Sequence, residues 1–149
     1  MLKNVKQFVL AGNAYFTVSN PAGQHFTYRV SKPDDNPASA ILDFYFVSVL
    51  TGPDNTKNYT YAGMLDGRDN FWLPNKTFRA TKNSKIKPEA LSWKVFEWAM
   101  KLVYANQPFP PGYTLKHANR CGRCGRMLTD PESITDGIGP ECRKHMGIQ

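Results

Sequence analysis

The chain lacks most of what would mark it as secreted, membrane-bound or catalytic. Cysteine is scarce: there are three in 149 residues, and all fall between positions 121 and 142. An odd, clustered set does not suit the paired framework of a small secreted domain. At this spacing it points to a reducing compartment and a metal. No apolar run approaches the roughly 18 residues needed to cross a bilayer, so no membrane partner is expected. After the basic start Met1-Leu2-Lys3-Asn4-Val5-Lys6, only Phe8-Val9-Leu10-Ala11 is apolar. That is too short for a signal-peptide core, and a cytoplasmic location is expected, in the host cytoplasm for a viral chain. Internal repeats and low-complexity segments are missing. So are a Ser-His-Asp set, a phosphate-cradling glycine loop and a paired-carboxylate pattern.

Acid is absent from the first 33 positions, which carry four Lys/Arg. Residues 34–70 reverse this with six Asp against two basic residues. Residues 71–115 carry seven Lys/Arg against two Glu, and residues 116–149 carry six against four acids. The net charge of +7 thus gathers in the middle and the C-terminal part, beside an acidic segment. Such a distribution suits a polyanion-binding face, although charge alone also describes a solvated surface.

What is present reads as α+β, an antiparallel aromatic-rich sheet packed by one long helix and followed by a small zinc module. Ala14–Ser19 and His25–Val30 are β-branched and aromatic, and they flank Asn20-Pro21-Ala22-Gly23-Gln24, a good hairpin turn. Phe26, Tyr28 and Val30 alternate with Thr27 and Arg29, so one face is buried. Phe44–Leu50 is almost continuously apolar, as a central strand would be, and Tyr59–Met64 follows it. Weaker strands are expected over Asn70–Leu73 and Thr77–Thr81. A helix is expected from Pro88 to about Asn106, with Leu91, Val95, Trp98, Ala99 and Leu102 on one stripe and Trp93, Phe96, Met100 and Val103 on an adjoining one. The stiff linker Gln107–Gly112 separates a domain at 1–112 from a module at 113–149.

The module holds the chemistry. Cys121 and Cys124 are two residues apart, a turn whose thiolates converge on one cation, and Gly125 suits the positive φ that turns backbone N–H groups toward sulfur. Seventeen residues, 125–141, separate this pair from Cys142, which falls in the first turn of a helix started by Gly139-Pro140, where the helix dipole favours a thiolate. Between them Thr129-Asp130-Pro131-Glu132 has the form of a capping box, and Gly137 suits the end of the short helix it starts. A knuckle plus a short helix is the treble-clef plan. The cofactor expected is Zn2+, held by Cys121, Cys124, Cys142 and one histidine. His145, one turn along from Cys142, and His117, on the strand entering the knuckle, are both candidates. A thioredoxin-like redox pair would need a βαβ context that is not visible here.

The string from Cys121 to Ile134, closed by Gly137-Ile138-Gly139-Pro140 and Cys142, resembles a small zinc-finger family of unknown function. Its members occur mostly in short bacteriophage, plasmid and bacterial proteins, and as a tail on some helicase-like proteins. The resemblance covers residues 117–145 and implies a histidine four residues before the first cysteine, here His117. More loosely, the aromatic N-terminal part resembles the partner region of such phage proteins.

Two functions follow as expectations. Arg120, Arg123, Arg126, Arg143 and Lys144 crowd the cysteines, and a metal-braced knuckle holds such side chains toward phosphates of DNA or RNA. Lys76, Arg79, Lys82, Lys85 and Lys87 would extend that track, and Tyr15, Tyr59 or Tyr61 could stack bases, though packing is the commoner use of such rings. Alternatively the chain is a protein-interaction module that inhibits a host enzyme or a nucleoprotein defence complex, its Asp-rich segment meeting a basic channel. Catalysis is not expected, because four ligands close the metal and no acid or base stands ready beside it.

Overall fold

The computed structural model describes residues 2–32, 43–54, 57–68 and 77–147. The expected strand at Asn70–Leu73, Lys76 and three residues of the Asp-rich segment (Asp34, Asp35 and Asp69) lie outside them. A short helix, α1 (Val5–Val9), leads into β1 (Asn13–Ser19), β2 (His25–Ser31), β3 (Phe44–Leu50), β4 (Tyr59–Asp66) and β5 (Phe78–Arg79). Helix α2 (Leu91–Tyr104) crosses back, and β6 (Thr114–His117) precedes two six-residue helices, α3 (Pro131–Asp136) and α4 (Pro140–His145). The six strands form one sheet in the order β5-β4-β3-β2-β1-β6, and every pairing is antiparallel. The α+β reading therefore holds.

Alternation dictates the inner face of the sheet. Ala14, Phe16 and Val18 on β1, Tyr28 and Val30 on β2, and Tyr45, Val47 and Val49 on β3 are all buried. Against them α2 presents Trp93, Phe96, Met100 and Val103. Phe78 stacks on Trp93 at 4.0 Å and also meets Phe96, which in turn lies 5.1 Å from Tyr28. Of the two expected helical stripes, this second one is buried throughout; of the first, Ala99 is fully buried, Val95 and Trp98 pack against the core, and Leu91 at its head is 64% exposed. The helix is shorter than expected at both ends. Pro88 falls in a turn before it, where the Ala90 N–H donates to the Lys87 carbonyl. Buried phenols also find acceptors: Tyr28 donates to the Ser92 carbonyl and Tyr45 to that of Leu10, each at 2.8 Å. Burial pushes both phenols well above their ordinary range, so they remain neutral donors.

In β4 the alternation is broken on purpose. The register with β3 shifts between Val47 and Ser48, so that Val47 faces Gly63 while Ser48 faces Tyr61. The extra residue is Ala62, which is buried with Gly63. As a result Tyr61 and Met64, three apart, share the outer face. Gly63 must be glycine here, because a Cβ would stand 2.8 Å from the Trp93 ring.

The expected boundary at residue 112 falls just before β6, which pairs with β1 and so adds to the sheet. Beyond it lies a second, smaller core of Cys121, Leu128, Ile138 and Cys142. Phe8 of α1 joins the two. It is fully buried and touches Phe16 on the sheet side, at 6.3 Å between ring centres. On the module side it fills the space left by Gly122 and Gly137, where a Cβ would come to 2.8 and 2.5 Å of its ring. Backbone bonds from Asn13 to the Gly122 carbonyl and from Lys3 to that of Thr135 complete the joint.

Phe8→Ala should therefore cost about 3–5 kcal/mol, the range for emptying an aromatic core site. Urea denaturation followed by tryptophan fluorescence and by amide exchange of the module would show both parts loosening together. A loss under about 1 kcal/mol would mean that α1 does not hold the joint.

Candidate metal centre

The knuckle is built by backbone bonds that bring two cysteines over one point. The Cys121 N–H donates to the Arg126 carbonyl, and the Gly125 N–H returns to the Cys121 carbonyl at 2.9 Å. Gly125 sits at the expected positive φ, +80°, and earlier in the turn the Arg123 amide donates to the Cys121 sulfur, 3.4 Å away. A bridge between Arg120 and Met127 closes the loop.

Helix α4 brings the third thiol. Gly139 is its N-cap, Pro140 stands at the first helical position, and Cys142 is buried in the first turn. The path between is fixed by α3. Its cap is Asp130, not Thr129: the carboxylate accepts from the Ser133 N–H at 2.9 Å, and Pro131 opens the helix. The cap bond from Ser133 holds the exposed Asp130 carboxyl below its usual range. Gly137 ends α3 at φ +70°, as expected.

The three sulfurs lie within 4.8 Å of one another, two of the cysteines buried and Cys124 exposed. Thiolates about 2.3 Å from a common zinc-like ion stand roughly 3.8 Å apart, so a small closure would seat one. Electrostatics favours the same conclusion. Burial pushes the Cys121 thiol up, but backbone N–H groups of Gly139, Cys124 and Arg123 outweigh it and lower the pKa. Cys142 goes the other way, up to about 11, through burial first and the two neighbouring cysteines next. The dipole of a six-residue helix does not overcome that. Three thiols this close resist joint deprotonation unless a cation lies among them, and these residues can hold a metal ion.

Neither candidate histidine stands in the group. His117 has both ring nitrogens in use: Nδ1 accepts from the Asn119 N–H and Nε2 donates to the Ile134 carbonyl, each at 2.8 Å. It also packs 5.6 Å from the Phe8 ring. His145 is exposed at the end of α4. Among the described residues the metal-competent group is the three cysteines.

The basic side chains divide. Arg143 is held inside the module by Asp136 and, at 3.5 Å, by Glu132, so it braces α3 against α4 instead of facing solvent. Arg123 is exposed, yet its guanidinium reaches the Cys142 sulfur at 3.5 Å. Arg120, Arg126 and Lys144 have no ion pair among the described residues. Lys82 and Lys85 are exposed but follow β5, at the opposite edge of the sheet from β6. Five strand spacings, about 24 Å, separate them from the knuckle. In the acidic segment Asp43 pairs with Lys32 and Asp66 with Arg68.

A family model described only as a family of unknown function (DUF6011) matches residues 116–147, from the last residues of β6 through α4. No curated protein and no solved structure matches the chain.

Cys121→Ser and Cys142→Ser should each lose the bound metal, read by elemental analysis of the purified protein. His145→Ala should change neither metal content nor stability. His117→Ala should keep the metal but cost about 1–3 kcal/mol, because the Asn119 N–H and the Ile134 carbonyl lose their partner. Metal lost from either histidine variant would show that its ring swings in to ligate.

Proposed function

We propose that the chain is a non-catalytic zinc-binding protein, encoded by a phage or other mobile element, that binds nucleic acid through basic side chains around the cysteine group. The observation that carries this is the position of Arg120 and Arg126 at the two ends of one knuckle, with Lys144 on α4, all without a carboxylate partner among the described residues. A surface kept only for solubility tends to interleave both signs. Here Asp136 and Glu132 are taken by Arg143 and Asp130 caps α3, so that only Glu141, on α4, stands against Arg120, Arg126 and Lys144, and the two knuckle arginines are left to an external anion. A closed tertiary scaffold presents them at fixed spacing, which lowers the ordering cost of each phosphate contact.

Zinc is the ion proposed, since three cysteine sulfurs at a Cys-x-x-Cys turn and a helix start are soft donors suited to it. The fourth position falls to a water or to a histidine that moves. An open position would also suit a catalytic metal, but the surroundings do not. A cleft of about 890 Å3 runs from Leu2 through Val103 to His117 and is not lined by the cysteines. Asp136 and Glu132 are ion-paired with Arg143, both nitrogens of His117 are hydrogen-bonded, and Glu141 is an exposed acid of the first turn of α4, where it favours the helix start.

The protein as purified should carry one zinc per chain. A chelator should unfold residues beyond about 118 while the sheet amides stay in place. Binding to a labelled oligonucleotide should fall steeply with salt, and Arg120→Ala and Arg126→Ala combined should flatten the slope by about one unit per lost contact. Zinc content should be unchanged in that variant. Absence of any nucleic-acid binding at about 50 mM salt, with a nuclease-resistant complex to one host protein, would favour the inhibitor reading instead.

A further inference from the structure

Helix α2 covers one face of the sheet, and among the described residues no element covers the other. Among the polar residues Thr17, Thr27, Ser31 and Ser48, that outer face also carries a group of rings and arginines. Its central cross-strand row runs Tyr15, Arg29, Ser48, Tyr61. Beside it Phe46 meets Tyr61 edge-on at 5.9 Å and is 37% exposed, while Tyr59 meets Tyr15 at 5.6 Å. Alternation puts Tyr59 and Tyr61 on this side, and the β4 bulge adds Met64, which pairs opposite Phe46.

The charges on this face lie on rings. The guanidinium groups of Arg29 and Arg120 sit 5.5 and 5.6 Å from the centre of Tyr15, and that of Arg79 sits 5.4 Å from Phe44. None of the three has an ion pair among the described residues, and Asp66, the acid on the same side, is bound by Arg68. Lys116 of β6 shares the face by its pairing with Thr17. The result is a shallow aromatic floor with uncompensated positive charge from one sheet edge to the other. Arg120 is the first residue of the knuckle bridge, so this face and the proposed phosphate contacts around the cysteines form one surface.

Taking the nucleic-acid reading above as given, we propose that this face selects single-stranded nucleic acid, with bases on Tyr59, Tyr61 and Phe46 and phosphates on Arg29 and Arg120. The chemistry requires a single strand because a duplex hides the flat faces of its bases in its own stack. Strands β1 to β4 span about 14 Å, room for two or three bases laid across a sheet. Stacking accepts any base, while the arginines supply the charge that a polyphosphate backbone complements. An acidic protein segment would satisfy the arginines but leave the rings unused.

The test uses the zinc-loaded full chain and labelled oligothymidine and oligouridine of about 12 nucleotides, beside a duplex of equal length. Single strands should bind at least about tenfold more tightly than the duplex. Tyr61→Leu and Phe46→Leu, which keep apolar bulk, should each weaken single-strand binding about five- to tenfold and leave duplex binding unchanged. The combined Arg120→Ala and Arg126→Ala variant should weaken both. On adding oligothymidine to the unmodified protein, amide signals of Arg29, Phe46 and Tyr61 should shift, a readout that does not depend on any variant folding. Equal binding of duplex and single strand, with these amides unmoved and the leucine variants unaffected, would overturn the sheet-face proposal while leaving nucleic-acid binding at the knuckle standing. No binding to any oligonucleotide at low salt would overturn both.

Discussion

Three sulfurs held within 4.8 Å of each other set the terms for everything after β6. The module they belong to buries two aliphatic side chains of its own, Leu128 and Ile138. Burial contributes about 2–3 kcal/mol for each, whereas ordering a backbone costs roughly 1–2 kcal/mol per residue. Some thirty residues with short helices of six cannot be held by that core. A cation among the thiols would supply the missing stabilisation and at the same time offset the burial and the neighbouring cysteines that raise the Cys142 thiol. Phe8 does the complementary job from outside, filling the hollow that Gly122 and Gly137 leave because they have no Cβ. Loss of either tie leaves the other insufficient.

The same two ties orient the surface chemistry. With β6 zipped to β1, the chain enters the knuckle beside Tyr15: the Ala118 N–H donates to the Tyr15 carbonyl, and Arg120 then lies over the Tyr15 ring. A basic residue that reads in sequence as part of the cysteine cluster is therefore also part of the sheet surface. The β4 bulge acts at the far side. Without the extra residue at Ala62, strict alternation would send either Tyr61 or Met64 into the core.

Legibility in the sequence followed the length scale of the signal. Strands β1 to β4 and α2 were readable because alternation, β-branched and aromatic runs and helical stripes extend over six residues or more. The cysteine spacing was readable because a metal-binding turn leaves little freedom. Helix α1 was not, since five residues carry no period, and its basic start drew attention to targeting instead of to Asn4, whose side chain caps it. The shift of the α3 cap to Asp130 turns on Pro131, which fixes the first helical position one residue later than a capping box would. Arg143 looked like its exposed neighbours because nothing local reveals that α3 brings Asp136 and Glu132 against it. The bulge, and with it the membership of the outer face, depends on the partner strand and is invisible in β4 alone.

Charge bookkeeping around the sulfurs limits which arginines can serve an outside ligand. A divalent ion with three thiolates carries a net single negative charge. Arg123 lies against the Cys142 sulfur, where its guanidinium balances that charge, and Arg143 is matched by Asp136 and Glu132. Neither can turn to a phosphate without exposing a charge it now compensates. Arg120, Arg126 and Lys144 have no such duty among the described residues, and of these Arg120 alone also rests on an aromatic ring. On the proposed reading Arg120 is thus the hinge between two modes of contact, phosphate capture at the knuckle and base stacking on the sheet. Its replacement would separate them, leaving two weaker surfaces where the fold now offers one.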